Sequence, residues 1–451
     1  MTERTVKVLM FVLALCVTTS VFGLDVPIEY QRYPEGATEF LPSGGAVMQK
    51  MIEVPSGDWK LPELKSKSPI YAIIQFADKP RLLILDRQND DDFFYNRLYF
   101  DANGNGDLTD DAVVDGDFGT PAGAQSEAVQ ADFPPVDATV TVGGKSLPYS
   151  FTISVQYLYF GDYGRPDKEL KQEHIDQNFT LTLFGNCFYS GKFQLDGQSY
   201  RVALGDGNVN GRFNDDISLS TVYLCSQPVL APTGDLFYLT TGSEPGFRDT
   251  QISGDMLLLN GKLFDVSISA AEGKLTLTPT SEKLLPLKLS MATERMTMCT
   301  EDASHCVMAY GPGTKIMVPE GTYRLLDYTA LRKDEQGDEW SISGMAAVEG
   351  PTVAVEEGKD AILALGEPYM PTVSVSEGNL QSVRAGDATA AQLQFSITGS
   401  GKEVVTDLER VSGNRTRISL SSNEPNRPKE PAYRIVKADG EVVTQGDFEY
   451  G

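Results

Sequence analysis

Two eleven-residue stretches carry the residue types and the spacing to hold a hard cation. One occupies 101–111 and the other 206–216, and both read D-x-N-x-N-G-x-[LF]-[TN]-D-D. Calcium takes six to eight oxygens at roughly 2.3–2.6 Å, and alternate side chains of a tight loop can aim oxygens at one point. Asp101, Asn103 and Asn105 fill the first, third and fifth positions of one loop, and Asp206, Asn208 and Asn210 those of the other. Gly106 and Gly211 stand sixth, where the loop must turn sharply and a residue without a Cβ is favoured. The seventh residue offers its backbone carbonyl, so Asp107 and Arg212 are free to differ. Thr109 and Asn214 stand ninth. Asp110 and Asp111, with Asp215 and Asp216, supply late acids, and the sequence does not say which of each pair closes its site. Asp, Asn and Gly also build ordinary turns, but two copies with matching tails favour a calcium ion in each.

These residues resemble the EF-hand calcium loop, D-x-[DN]-x-[DN]-G-x5-E, and its relatives in dockerins and thrombospondin-type repeats. Leu108 and Phe213 stand at the eighth position, which such loops usually fill with an apolar residue. The resemblance implies the ligand logic, with two calcium ions as cofactors, and covers about two dozen residues. It stops at position twelve, where the bidentate Glu is replaced by Ala112 and Ile217. The flanks at 96–100 and 199–204 are β-rich, so each loop is expected to follow a strand. The first loop carries four acids, and the second three beside Arg212, so the first site is expected to be tighter. Two Asn per loop imply affinities on the order of 10⁻⁴–10⁻³ M, the range of extracellular modules.

The elements that position these loops read as strands. Residues 71–76 and 81–85 lead to the first loop, and 179–184 and 191–195 to the second. Hairpins follow each, turning at Gly143-Gly144, Asn260-Gly261 and Glu272-Gly273. Strands, loop and trailing hairpins recur in order, which suggests an internal duplication across about 65–285. The longest helix is expected at 167–175. The stretch 318–325 is similar to the P-x-G-x-Y strand start of carboxypeptidase-regulatory-like modules. Short strands after 371 resemble an immunoglobulin-like sandwich. The expected fold class is mainly β: several small β-sandwich or β-barrel-like modules in tandem with the calcium loops, and few short helices. The expected divisions are an export signal at 1–23, an extended N-terminal segment at 24–70, and loop-bearing β modules at 71–175 and 176–284. A β-sandwich module at 285–370 and an immunoglobulin-like one at 371–451 complete the chain.

Across 451 residues, 63 acids against 38 bases give a net charge of −25. Such a balance disfavours nucleic acid and anionic membrane surfaces as partners and suits divalent cations. Arg4 and Lys7, an apolar run at 8–17 and small residues near 23 read as an export signal, too short to span a bilayer. Leu15 is too large for a lipoprotein box at Cys16, so lipidation there is not expected. No later run is apolar enough for a transmembrane helix. Four cysteines remain, an even number that suits disulfides in an exported protein. Cys299 and Cys306 are expected to clamp a hairpin, which would leave Cys187 to pair with Cys225, although spacing alone does not fix the connectivity.

The chain has two histidines, His174 and His305, and neither falls in a hydrolase or metalloprotease motif. Met296, Met298, Cys299, His305, Cys306 and Met308 could suit copper, but a disulfide hairpin with buried methionines is favoured. The functional expectation is an exported, non-enzymatic calcium-binding β-protein with a structural or binding role at the cell surface, towards glycan or protein. The alternative is a glycan-binding or glycan-active protein, using carboxylates and an aromatic platform of Tyr157, Tyr159, Phe160 and Tyr163.

Overall fold

The computed structural model describes residues 23–33, 44–89, 91–120, 128–159, 171–224, 227–242, 250–335, 337–375, 377–386, 392–411, 417–418 and 431–448. The export segment with Cys16, together with Phe160, Tyr163, Cys225 and the start of the helix expected at 167–175, lies outside them.

The fold is mainly β, because alternating sequences lay one apolar face on a core. Phe179–Gly185 buries Phe179, Leu181 and Leu183 and turns Thr180 and Phe184 outward. It pairs with the long strand Lys145–Leu158, Val155 opposite Leu181. Lys145–Leu158 pairs in turn with Val136–Val142 through Gly143 and Gly144, at φ 58° and 77°. Two successive left-handed residues give the twist that a two-residue hairpin needs. Asn260 and Gly261 do the same at φ 53° and 73° between Met256–Leu259 and Lys262–Ser269. A four-stranded sheet, Ile70–Gln75, Pro80–Asp86, Arg97–Phe100 and Val114–Asp115, leads to the first loop. The second loop follows Gln198–Gly205, a strand of the largest sheet.

The structure does not show the two loop-bearing blocks as separate modules. One hydrophobic core joins Ile74, Leu83, Phe100 and Phe151 to Phe179, Tyr189, Phe213 and Leu257. The blocks 71–175 and 176–284 therefore share it. Each contributes sheets with one apolar face, and the faces find cover in each other. Leu24–Arg32, in the segment expected to be merely extended, pairs with both Cys187–Leu195 and Lys274–Pro279. Glu339–Met345 pairs with Val404–Val411 across the expected boundary near 370. Among the described residues the α-helices are Gln172–Asn178 and Glu377–Ala385. The second lies where only strands were expected.

One hairpin tip touches both loops. The Ala77 N–H donates to the Asn210 carbonyl at 2.8 Å, and Arg212 Nη2 donates to the Ala77 carbonyl at 3.2 Å. Four residues on, the fully buried Arg81 pairs with Asp78 at 3.0 Å and donates to the carbonyls of Ala102 and Thr139. Removing one partner from such a buried pair leaves the other charge uncompensated. Arg81→Met is therefore expected to destabilise the protein by roughly 3 kcal/mol, measured by urea denaturation in the presence of chelator. A loss within about 0.5 kcal/mol, the range of ordinary surface changes, would show that the guanidinium does not hold the loop.

Candidate metal centres

Each loop is fixed at two points before any ligand is considered. Asp101 and Asp206 lie at strand ends and are almost wholly buried, each 1% exposed. The eighth residues are the second anchors. Leu108 packs with Tyr71, Leu82, Ile84 and Tyr99, whereas Phe213 enters the main core beside Tyr149 and Tyr189. The backbone turns left-handed at the same two positions in both copies. Gly104 and Gly106 have φ of 72° and 82°, and their counterparts Val209 and Gly211 have 59° and 83°. Left-handed φ is unusual for a β-branched residue. Val209 is held there by burial in the main core.

This path turns side-chain oxygens inward. Asp101 Oδ2 accepts the Gly106 N–H at 3.2 Å, and Asp206 Oδ2 accepts that of Gly211 at 2.6 Å. Asn103 Oδ1 accepts from Asn105 N at 2.8 Å, Asn105 Oδ1 from Asp107 N at 2.7 Å, and Asn210 Oδ1 from Arg212 N at 2.7 Å. Asp206 Oδ1 accepts from Asn208 N and Asn210 N at 3.1 and 3.2 Å. The tenth residue closes both rings. Asp110 receives the amide groups of Asn103 and Asn105 at 3.3 and 2.9 Å, and Asp215 those of Asn208 and Asn210 at 2.9 and 2.5 Å.

The remaining expected residues divide. Asp111 is half-buried, and the backbone N–H groups of Ala102 and Asn103 act on its carboxylate. Its counterpart Asp216 is exposed. The Asp107 side chain turns to Lys60 at 2.6 Å and to the Thr109 hydroxyl, so both side chains are engaged away from the ring. The Arg212 side chain reaches Ala77. Asn214 lies in the wall of a cavity of about 480 Å³ with Asp215, Asp216 and Asp255.

Asp235 belongs to this region although its place in the sequence gives no sign of it. It falls between Gln227–Thr233 and Leu236–Thr240 and is 1% exposed. It accepts the N–H of Gly207 at 3.0 Å and that of Asp215 at 2.7 Å. A lone Asp nineteen residues beyond the loop (235 − 216) has no motif spacing; only its position between two strands marks it.

The carboxyl groups are crowded. Burial, then the charges of Asp206 and Asp215, push Asp235 up to about 8. Burial raises Asp206 to about 6. Burial, with the charges of Asp101 and Asp110, takes Asp111 to about 6. Asp107 goes the other way, to about 2, held down by Lys60 and Thr109. Among the described residues no three carboxylate, imidazole or thiolate side chains form a ready-made metal cluster. The donors of each loop are carboxylate, carboxamide and carbonyl oxygens, which fit a hard cation better than zinc or copper.

The other expected sites are placed as follows. Cys299 and Cys306 are buried thiols that face each other in register. The Thr300 N–H bonds the His305 carbonyl at 2.9 Å, so the neighbouring cysteines form a non-hydrogen-bonded pair, whose side chains lie closest. Cys187 is also a buried thiol. Met296, Met298 and Met308 are core residues. Tyr157 is no sugar platform: it is fully buried beside Phe94 and Phe179, and Tyr159 leans on Phe93. His174 Nδ1 accepts the Lys171 N–H at its helix start. His305 lies 3.5 Å from Glu282 and 3.9 Å from Asp255.

No family model, curated protein or solved structure matches the chain.

The raised carboxyl groups set a pH dependence. Their folded pKa values lie above the unfolded value near 3.9, so folding disfavours their charged forms. Stability present below about pH 4 is therefore lost as pH rises through about 6 for Asp111 and Asp206 and about 8 for Asp235. In chelator the melting temperature is expected to fall between pH 5 and pH 8.5, by scanning calorimetry. A flat or rising profile would contradict the crowding.

Proposed function

We propose that the chain is an exported, non-enzymatic β-protein whose loops at 101–111 and 206–216 each bind one calcium ion. The ions brace the sheets for a structural or binding role at a cell surface. The observation that carries this reading is the Asp101 carboxylate. It is 1% exposed, and its Oδ1 has no hydrogen-bond partner. Asp111 Oδ2, in the same loop, is likewise buried without a partner. Burying an unpaired carboxylate is unfavourable by several kcal/mol, and a coordinated cation removes that penalty. The repetition of the left-handed fourth and sixth residues, the apolar eighth and the closing tenth supports the same role for the second loop.

Export, proposed from residues 1–23, would supply both calcium and an oxidising medium. At about 1 mM calcium and a dissociation constant of about 10⁻⁴ M, each site adds roughly 1.4 kcal/mol to stability. Oxidation would join Cys299 to Cys306. The glycan alternative is weakened because Tyr157, the first residue of its platform, lies in the core.

Calorimetric titration is expected to find two calcium ions in the wild type and one in Asp101→Ala, with a higher melting temperature in calcium than in chelator. Two ions in Asp101→Ala would refute the first site. Oxidation of the Cys299–Cys306 pair is expected to raise stability by about 2 kcal/mol, the order given by closing a short loop. Equal denaturation midpoints with and without reductant would refute that disulfide.

A further inference from the structure

The second site has a ligand from outside its loop: we propose that Asp235 supplies the carboxylate that Asp111 supplies in the first site, in place of Asp216. The inference rests on the calcium reading of the loops. The loops agree in the buried first and eighth residues, the left-handed fourth and sixth, and the tenth that receives both Asn amides, and they part at the eleventh. Asp111 turns back towards its own loop, where the backbone N–H of the second residue, Ala102, acts on its carboxylate and favours the charged form. Asp216 is exposed instead. In the second loop the N–H of the second residue, Gly207, is taken by Asp235 at 3.0 Å. The same carboxylate accepts the N–H of Asp215, the residue that closes the ring, at 2.7 Å.

Backbone packing delivers Asp235 to that place. A Cβ on Gly207 would stand 1.8 Å from the Gly234 carbonyl oxygen, so the chain at 234–235 approaches the loop over bare backbone. The first loop has Ala102 at this position, where no such neighbour needs room. Asp206 and Asp235 are each 1% exposed. Among the described residues neither forms an ion pair with Lys or Arg; their partners are backbone N–H groups and the Tyr149 hydroxyl. In the first loop the equivalent pair, Asp101 and Asp111, keeps two buried oxygens without partners, which points to a cation between them. A ligand set of Asp206, Asn208, Asn210, Asp215 and Asp235 gives the second site three carboxylates without Asp216. It also ties the ion to the strand Leu236–Thr240, which pairs with Gln198–Gly205, the strand that leads into the loop.

The test titrates calcium chloride into the full chain, D235N and D216N by calorimetry after chelator treatment. The wild type and D216N are expected to bind two ions. D235N is expected to bind one, or to bind the second at least ten-fold more weakly. Loss of a site in D216N with both kept in D235N would overturn the assignment, as would two unchanged sites in both variants. A wild type that binds no calcium would instead remove the reading of the loops. Melts in chelator separate a ligand from a structural brace. D235N, lacking a buried charge, is expected to melt no lower than the wild type there and to gain less from calcium. A lower melt with an undiminished calcium gain would make Asp235 structural only. D235E keeps the charge but moves the oxygens by one methylene, and it is expected to weaken the same site. An unaltered second site in D235E would also count against the proposal.

Discussion

The constraint on which the rest depends is the burial of like charges. Asp101 with Asp111, and Asp206 with Asp235, place carboxyl groups together where water is largely excluded. Such groups repel each other and resist desolvation, so the loops are stable only if protons, N–H donors or a cation compensate. The backbone supplies part of that compensation through the Gly106, Gly211, Gly207 and Asp215 N–H groups. The remaining negative charge is what favours the proposed cation over an ordinary turn at each loop.

Compensation at one loop is mechanically connected to the other. The tip at 76–81 bonds the second loop through Ala77 and the first through Arg81. Asp78, which pairs with Arg81, also accepts the Thr141 N–H, from the strand Val136–Val142. The tip is therefore braced by the long hairpin that covers the main core. A duplicated loop would not by itself produce this. It arises because both blocks fill one core, which brings both loops into contact with a single turn.

Much of this could be read in the sequence, for physical reasons that differ by feature. Side-chain period two gave the strands, as in Phe179–Gly185, and Gly143-Gly144 and Asn260-Gly261 marked their turns through a need for positive φ. The loops themselves were legible because the same residue types recur at the same spacing. Non-local information was not. Nothing in residues 24–32 indicates pairing to both 187–195 and 274–279, since β pairing depends on partners hundreds of residues away. Asp235 escaped notice for the same reason. Tyr157 misled because an aromatic cluster reads alike as surface platform or core until the neighbouring Phe94 and Phe179 are placed.

The two loops are alike locally but unlike in what they anchor. Leu108 belongs to a small cluster with Tyr71, Leu82, Ile84 and Tyr99, roofed by Trp59, Leu61 and Leu64. Phe213 and Val209 belong to the core that spans Val26 to Met308. Free energy spent ordering the first loop is thus passed to a satellite cluster and to the four-stranded sheet behind it. Ordering the second loop acts on residues that touch Tyr149 and Tyr189 within the main core. Burial strengthens coupling because a close-packed interior transmits displacement instead of absorbing it. An ion held as proposed in each loop would therefore be a local clasp in one copy and a brace of the main core in the other.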